Sequence, residues 1–306
     1  MKRKLQKMLF MWKKYTGTMS FNVTHFFVNY DVGREKFSLT FFRIFVPFIA
    51  IVDVLSMGDD FNLLFSEKDT FIPKELMYIV SEYKDLLDIL GAYLKEYNLT
   101  LFFYNNAKLI YVVFLVFLMF GFLARFSSLL ALLLQLIIFK SFNELNYGYD
   151  QFLTMSLFYC FWFPVGKYIS LDSYIFNYKE EIIRFDYIRV IQIHLCMVYF
   201  FAGISKALDP EWWNGMSLWR SISSVYNNYF TISPYVLLVV GIGTVLLETL
   251  YSVFIWIDKT RYIVLVLCMI MHITIAYMLD LYSFSAMLII WNIAAFYHLK
   301  LDEIKN

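Results

Sequence analysis

Long apolar runs separated by short polar segments form the main pattern of the sequence. A transmembrane helix needs about 20 predominantly apolar residues. Several of these runs are shorter, so we expect tilting or interfacial aromatic residues to make up the difference. The pattern predicts an all-α integral membrane protein, a polytopic bundle of about eight transmembrane helices. The runs cover residues 39–57, 109–124, 129–142, 152–165, 188–206, 235–257, 263–278 and 284–296.

The N-terminal segment has a different pattern. Six lysine and arginine residues are interleaved with apolar and aromatic ones over residues 1–15, which predicts an amphipathic helix on an anionic membrane surface. A disordered basic tail is the alternative. No long apolar region or small-residue cleavage site follows directly, so we do not expect a signal peptide. We divide the chain into a basic amphipathic, interfacial segment, 1–36, and a single transmembrane domain, 37–306. Within that domain, residues 58–108 predict a short helix at the membrane interface.

Composition agrees with this class, because 60% of the 306 residues are apolar, only 17% are charged and the mean hydropathy is +0.61. The 26 basic and 25 acidic residues give a net charge of +1, so no overall field attracts a nucleic acid. The three cysteines, Cys160, Cys196 and Cys268, each lie within an apolar run. We expect three free thiols that pack as small apolar groups.

The distribution of basic residues predicts the orientation. Positively charged loops of a membrane protein face the cytoplasm, and with eight crossings the basic loop residues named below fall on one side. We therefore expect a multi-pass protein of the cell membrane with both termini in the cytoplasm. The loop 209–233, the turn 143–150 and the acidic segment after the first helix then face outward. The basic loop residues are Arg125, Lys167, Lys179, Arg184, Lys259, Arg261, Lys300 and Lys305.

The run that begins at residue 187 carries polar side chains at helical spacing. An ionisable side chain near the bilayer centre costs at least about 2.5 kcal/mol, so this polar stripe must face protein or water. It ends at Lys206, towards the outer face, just before a rim that contains Asp209, Trp212 and Trp213. We interpret Lys206 as lying at the mouth of a cavity; a lysine that snorkels from a helix end is the alternative. The stripe consists of Arg189, Gln192, Cys196, Tyr199, Gly203 and Lys206.

Further ionisable residues lie inside other runs. Arg43 and Asp53 are ten residues apart on one helix, about 15 Å along its axis, so each needs a partner on another helix. Glu248 lies in the middle of a run and marks a buried polar site. His272 is either a hydrogen bond between helices or a catalytic group. The sequence has no phosphate-binding loop, dinucleotide fingerprint, His-Glu-x-x-His or Cys-x-x-Cys motif, and we predict no metal site.

Five segments occur in order along the chain: FFRIFVPFIAIVDVL, FSEKDTFIP, NYGYDQFL, FWFPVGKYISLD and VYFFAGISKALDPEWWNG. Together they resemble the HTTM family, the horizontally transferred transmembrane domain related to vitamin K-dependent gamma-carboxylase. The resemblance runs from about Phe37 to the end of the sequence. Its most specific part is 199–215, where a lysine lies between a small-residue turn and a Trp-Asn-Gly rim.

The resemblance implies that Lys206 is the base that deprotonates a reduced quinone of the vitamin K or menaquinol type. It implies a catalytic role for His272 as well, at a position that looks like a family histidine. Ser205 stands where the carboxylase has a further lysine, and 146–149 contains no counterpart of a carboxylase histidine. The carboxylase's large soluble domain also has no counterpart, so we expect a membrane chemistry rather than peptide carboxylation. The residues expected to line the pocket are Gln192, Tyr199, Gly203, Asp209, Trp212, Trp213, Glu248, Arg43, Asp53, Tyr147 and Asp150.

Two functional hypotheses follow. In the first, the protein is a membrane enzyme whose outer-face cavity binds a quinol or another lipid-soluble substrate, with Lys206 as general base. Burial would disfavour the ammonium form and so make the lysine a usable base. In the second, the protein is a non-catalytic membrane partner in the maturation, export or immunity of a secreted peptide toxin. We do not expect a transporter, because the sequence shows no inverted repeat or paired broken helices.

Overall fold

The computed structural model describes residues 32–66, 70–141, 144, 146–176, 185–223 and 232–297. The predicted amphipathic helix of residues 1–15 lies outside these ranges. Within them the secondary structure is helical and contains no strand, as the sequence pattern predicts. The helices are α1 (Val32–Ser56), α2 (Asp60–Phe65), α3 (Lys74–Val80), α4 (Lys84–Glu96), α5 (Thr100–Phe120), α6 (Ala124–Ile138), α7 (Gly148–Trp162), α8 (Leu171–Ile175), α9 (Tyr187–Leu208), α10 (Pro210–Trp213), α11 (Met216–Ile222), α12 (Pro234–Phe254), α13 (Asp258–Leu279) and α14 (Tyr282–Phe296).

Among the described residues, five helices are long and apolar enough to cross a membrane: α1, α5, α9, α12 and α13. Three further helices, α6, α7 and α14, have 15 residues each. A helix of that length extends about 23 Å, less than the hydrocarbon core of about 30 Å. The structure therefore supports a multi-pass helical membrane protein. The count of eight crossings stays a prediction, because the three short helices would need local thinning of the bilayer or neighbours that shield their ends.

Side-chain contacts bring particular helix ends together. We call the end of the bundle where α1 begins the proximal end, and the end where α1 finishes the distal end. At the proximal end, Arg34 of α1 forms an ion pair with Asp186, which immediately precedes α9. At the distal end, Asp53 of α1 accepts a hydrogen bond from Ser283 in the first turn of α14. α1 and α9 therefore run in one direction, and α14 runs in the opposite one.

A buried arginine connects three segments of the chain towards the proximal end. Arg43 is only 1% exposed, and its guanidinium donates hydrogen bonds to the backbone carbonyls of Met119, at 2.8 Å, and Ile169, at 2.6 Å. Carbonyls in the last turn of a helix lack partners within the helix and carry partial negative charge. Gly121 ends α5 in the left-handed conformation, with φ 68°, and a Cβ at this position would overlap the Arg43 guanidinium. Arg43 therefore caps α5 and joins it to α1 and to the loop before α8.

A second contact at the proximal end determines where α6 begins. The carboxylate of Asp172, in α8, accepts hydrogen bonds from the backbone N–H groups of Leu123, at 2.7 Å, and Ala124, at 2.8 Å. These groups belong to the first turn of α6, where N–H donors have no partner within the helix. A carboxylate from a distant part of the chain thus caps α6.

The core is organised around α14. Its Trp291 is fully buried and has ring contacts with Phe42 of α1 and His194 of α9. The Trp291 indole N–H donates a hydrogen bond of 2.8 Å to the Ser156 hydroxyl of α7. α14 therefore lies in the interior of the bundle, in contact with α1, α7, α9 and α13.

The segment after α1 contains three short helices, α2, α3 and α4, where the sequence predicts one. Leu87 and Leu94 of α4 are buried against the protein, whereas Ile89 and Tyr93 on another face are exposed. A helix with one apolar face covered by protein and another uncovered is suited to the membrane interface.

The arrangement of ends predicts how cysteine probes should react. In a variant whose three native cysteines are replaced by alanine, single cysteines at Arg125 and Lys259 should react with a membrane-impermeant maleimide from one side of the membrane. Cysteines at Glu144 and Ser221 should react from the other side, which we expect to be the outer one. Intact cells and inverted vesicles provide the two measurements. Reaction of Arg125 and Glu144 from the same side would show that the 15-residue α6 does not cross the membrane.

Candidate functional site

Glycine residues bring α9 and α12 close together. Gly203 packs directly on the backbone of α12, because a Cβ at Gly203 would lie 2.8 Å from the Thr249 Cα. α9 ends at Leu208, five residues after Gly203, so the first half of the antiparallel α12 extends beyond α9 at the distal end. The short α10 and α11 cover this extension, and Gly241 leaves room for the backbone carbonyl of Trp212.

This close approach allows an ion pair at the end of the polar stripe. The Lys206 ammonium donates a hydrogen bond of 2.5 Å to the Glu248 carboxylate. Glu248 is 8% exposed, whereas Lys206 is 23% exposed and lies 5.3 Å from the centre of the Trp212 ring. The Lys206 side of the pair is thus partly open to the surroundings of the protein, whereas protein covers the Glu248 side. An ammonium over an indole face gains a cation–π contact.

A separate hydrogen-bonded network of neutral side chains lies deeper in the bundle, within electrostatic range of the pair. The Tyr251 hydroxyl of α12 donates to the Asn292 carbonyl oxygen of α14, at 2.8 Å. The Asn292 amide nitrogen donates to the Tyr199 hydroxyl of α9, also at 2.8 Å, and to the Leu288 backbone carbonyl, at 2.9 Å. The Tyr199 hydroxyl is 2.7 Å from His272 Nε2 of α13. Four helices are therefore joined at one depth.

His272 is held in this network through one of its two ring nitrogens. Which of Tyr199 and His272 Nε2 donates in their contact depends on the tautomer of the imidazole ring. His272 is 3% exposed, and its second ring nitrogen, Nδ1, has no hydrogen-bond partner among the described residues. A buried polar atom without a partner is costly and is a feature of binding and catalytic sites.

The proximal half of the stripe makes structural contacts. Gln192 is buried, and its amide donates a hydrogen bond of 2.6 Å to the backbone carbonyl of Ala295 in the last turn of α14. Arg189 donates to the Gln192 side-chain oxygen, at 3.1 Å, and its guanidinium lies 5.4 Å from the Trp256 ring centre. The stripe thus faces the bundle as predicted, but only Tyr199, Gly203 and Lys206 reach the candidate site.

The rim residues have defined roles at the distal end. Asp209 caps α10 by accepting a hydrogen bond of 3.0 Å from the Glu211 backbone N–H. The Trp213 indole N–H donates to the Ala207 carbonyl, at 2.8 Å, and folds α10 back towards the end of α9. Trp212 faces Lys206, as described above. Of the three predicted rim residues, Trp212 contacts Lys206, while Asp209 and Trp213 hold α10 against the end of α9.

The remaining predicted pocket residues lie elsewhere. Arg43 is at the proximal end and contacts no residue of the site. Asp53, Tyr147 and Asp150 belong to a separate group at the distal end, between α1, α5, α6, α7 and α14. We call this group the acidic cluster. It consists of Asp53, Tyr111, Gln135, Tyr147, Tyr149, Asp150 and Ser283.

Phe284 of α14 separates the acidic cluster from the Lys206 site. Its ring centre is 6.3 Å from the His272 ring centre. On the other side, the ring lies so close to Gly148, at the start of α7, that a Cβ there would be 2.5 Å from it. Polar side chains that the sequence suggests as one pocket thus form two groups on either side of an aromatic ring.

Two members of the site were not predicted. Tyr251 and Asn292 are fully buried and complete the Tyr199 network. An amide side chain inside an apolar run, as at Asn292, was the available signal, because such a group needs a partner on another helix. Tyr251 carries no comparable signal, since tyrosine is common at interfacial and core positions alike. Among the described residues, no three His, Cys, Asp or Glu side chains are grouped as they would be around a metal ion.

Comparison with profiles of protein families matches residues 34–299 to the HTTM domain. The match covers nearly the whole chain and includes every residue of the site. Comparisons with curated proteins and with solved structures give no match.

The approach of α9 to α12 predicts the effects of two glycine substitutions. Gly203→Ala should lower the melting temperature in detergent, because its methyl group would meet the Thr249 backbone and push the helices apart. Gly243→Ala is the matched control on α12, where a Cβ has nothing within 4 Å, and alanine favours a helix over glycine by about 0.5–1 kcal/mol. It should leave the melting temperature unchanged or raise it. Equal melting temperatures for the two variants would contradict the close packing at Gly203.

The ion pair predicts a non-additive double-mutant cycle. Lys206→Met should destabilise the protein by on the order of 3 kcal/mol, because it leaves the Glu248 carboxylate buried without its cation. Adding Glu248→Gln should restore much of the lost stability, because no buried charge then remains. Chemical or thermal unfolding in detergent gives the free energy of unfolding of Lys206→Met, Glu248→Gln and the double variant, each relative to the native protein. A double variant no more stable than Lys206→Met would exclude the pairing.

Proposed function

Because the chain belongs to the HTTM domain family, and because a partly open ion pair lies beside a buried polar network, we propose that this multi-pass membrane protein is an enzyme that deprotonates a lipid-soluble substrate. Lys206 is the base. The observation that carries the proposal is the 2.5 Å contact between Lys206 and Glu248, closed by protein on the Glu248 side and partly open on the Lys206 side.

The pair explains how a lysine can act as a base here. In a surrounding of low dielectric constant, two opposite charges are costly to bury. Transfer of the ammonium proton to Glu248 replaces them by a neutral amine and a neutral carboxylic acid. The Lys206 amine then takes the substrate proton and becomes an ammonium again. One proton leaves the substrate, one remains on Glu248, and the net charge of the site does not change.

The same groups stabilise the product of this step. The substrate anion forms beside the new Lys206 ammonium, which attracts it more strongly than in water because little solvent is present. Trp212 offers an aromatic face next to the amine. His272 lies deeper, in the Tyr199 network, and in the tautomer that places the proton on its unpartnered Nδ1 it can donate a hydrogen bond. Lys206 and His272 are the catalytic residues of this proposal, and Tyr199 with Asn292 orients His272.

The substrate class that fits best is a reduced quinone of the vitamin K or menaquinol type. Its phenolic hydroxyl supplies a weakly acidic proton to an amine base, and its apolar tail keeps it in the bilayer. The residues suit such a molecule, since Trp212 can stack on an aromatic ring and His272 Nδ1 can bond an oxygen atom. We expect the distal end, and with it Lys206, to face the outside of the cell membrane.

A second candidate rests on a different observation. α10 and α11 expose Trp213, Met216 and Trp219 around the site, an apolar and aromatic surface that a secreted peptide could contact. In that case the protein is a non-catalytic partner in the maturation, export or immunity of a peptide toxin. The Lys206–Glu248 pair would then serve only to join α9 and α12.

Binding and proton transfer can be measured separately with a short-chain menaquinol under anaerobic conditions. Quenching of tryptophan fluorescence in nanodiscs reports binding, and the absorbance of the quinol anion reports deprotonation at neutral pH. The native protein should bind and deprotonate the quinol. Lys206→Arg should bind it without forming the anion, because guanidinium cannot give up its proton but still pairs with Glu248. Glu248→Gln should also fail to form the anion, because the ammonium proton has no acceptor.

Lys108→Met provides the lysine control, because Lys108 bonds the Gly58 carbonyl away from the site. This variant should behave like the native protein. An arginine variant that forms the quinol anion as well as the native protein does would refute the role of Lys206 as base. Absence of quinol binding by the native protein would instead favour the peptide partner.

A further inference from the structure

The acidic cluster contains two carboxyl groups with different surroundings. Asp150 is 6% exposed and accepts hydrogen bonds from the Tyr147 backbone N–H, at 3.1 Å, and from the Gln135 amide, at 3.5 Å. The buried Lys140, just beyond α6, interacts electrostatically with Asp150. Burial disfavours the charge on Asp150, while two N–H donors and the Lys140 cation favour it.

Asp53 has no such support. Among the described residues, its only hydrogen bond from another helix comes from the Ser283 hydroxyl, at 2.5 Å, and no cation there acts on it. Asp150 is close enough to repel a charge on Asp53. A half-buried carboxylate beside a like charge and without a cation is unfavourable, and uptake of one proton removes the cost. A hydroxyl partner such as Ser283 can donate to the carboxylate or accept from the acid.

A second, independent observation points to proton exchange in the acidic cluster. Tyr149 is 2% exposed, and its hydroxyl has no hydrogen-bond partner in the part of the chain that the structure describes. That hydroxyl is within electrostatic range of Asp53, Asp150 and Tyr111, so it points into the cluster. The Tyr111 hydroxyl donates its own proton to the Gln135 oxygen, at 2.6 Å, rather than to Tyr149. An unsatisfied buried hydroxyl among carboxyl groups marks the position of a water molecule or an exchanging proton.

The titratable groups around Asp53 come from each element of the cluster. α5 contributes Tyr111, and α7 contributes Tyr147, Tyr149 and Asp150. Lys140 follows α6 and interacts electrostatically with both Asp150 and the exposed Glu82. α14 contributes only the neutral Ser283. Burial raises the pKa of the Tyr147 phenol above its ordinary value, so this group stays neutral. Lys140 and two N–H donors favour the charge on Asp150, whereas among the described residues Asp53 has only the Ser283 hydroxyl as a side-chain partner.

We propose that the acidic cluster is a proton-exchange site, in which Asp53 is a neutral carboxylic acid at neutral pH and exchanges its proton with water beside Tyr149. Asp53 is only partly buried and lies three residues before the distal end of α1, so water at that end can reach it. The site is separate from Lys206, since Phe284 lies between them, and it does not depend on the proposed function. In the exchange, the proton leaves the Asp53 carboxyl for water, and the resulting carboxylate keeps the Ser283 hydrogen bond.

Infrared spectroscopy of the full chain in nanodiscs tests this proposal. The C=O stretching band of a protonated carboxyl group should be present in the native protein at neutral pH. It should shift when aspartate carries a carbon-13 label, which distinguishes it from any glutamic acid band. Asp53→Asn should abolish this band. Asp150→Asn should keep it, and Asp88→Asn, at an exposed position paired with Lys84, should leave it unchanged.

Tyr149→Phe tests the exchange step. The band should persist in this variant, but its shift after transfer to heavy water should be slower than in the native protein. If Tyr149 only supports the fold, the rate of exchange in Tyr149→Phe should equal that of the native protein.

Three results would overturn the proposal. The first is a native protein without an aspartic acid band at neutral pH, which the isotope label establishes even if a variant does not fold. The second is a band that survives Asp53→Asn and disappears in Asp150→Asn. The third is a band that disappears when sodium chloride is added at constant pH, because a metal ion would then balance the charge.

Discussion

A polar side chain inside this bundle must find its partner on a neighbouring helix, because lipid offers no hydrogen bonds. α9 carries the longest polar stripe, and its partners come from three other helices. Glu248 belongs to α12, His272 to α13 and Asn292 to α14. These contacts align the helices along their axes more strictly than apolar packing does, since a shift of one residue would leave several buried groups unpaired. Gly203 completes the arrangement by letting α9 approach α12 closely enough for Lys206 to reach Glu248.

α14 shows how a short helix can belong to a membrane domain. It has 15 residues, of which nine are buried, so protein rather than lipid surrounds most of it. A helix shielded in this way need not match the thickness of the hydrocarbon core. Its first turn holds Ser283 against Asp53 and Phe284 against His272, and its last turns hold Asn292 and the Ala295 carbonyl. The same helix thus takes part in both polar groups and keeps them apart.

The resting ion pair makes the structural and chemical roles of Lys206 compatible. In the resting state, the Lys206 ammonium donates a hydrogen bond to the Glu248 carboxylate and so stabilises the contact between α9 and α12. Once this proton has moved to the carboxylate, the resulting amine can act as a base. A stability measurement on Lys206 variants alone therefore does not distinguish an enzyme from a binding partner. The distinction depends on what happens to the proton of a bound molecule, which neither an arginine nor a methionine side chain at this position can accept.

The sequence by itself determined the properties that belong to single helices. The apolar runs and the composition predicted a helical membrane protein, and the five ordered segments indicated the family that the profile comparison confirms. Helical periodicity placed Gln192, Tyr199 and Lys206 on one stripe, because residues at these spacings share a face whatever surrounds the helix. The boundaries of the short helices between α1 and α5 were less predictable, since their ends depend on contacts with the bundle.

Only the tertiary structure decided which groups meet. The partner of Lys206 is Glu248, 42 residues away, and the partner of Tyr199 is Asn292, 93 residues away. Arg43 bonds backbone carbonyls rather than an acid, and Asp53 lies with Asp150 on the far side of Phe284 from Lys206. Such pairings depend on the rotation and axial position of each helix relative to its neighbours. These are set by the packing of many side chains from distant parts of the chain, so no single segment of sequence encodes them.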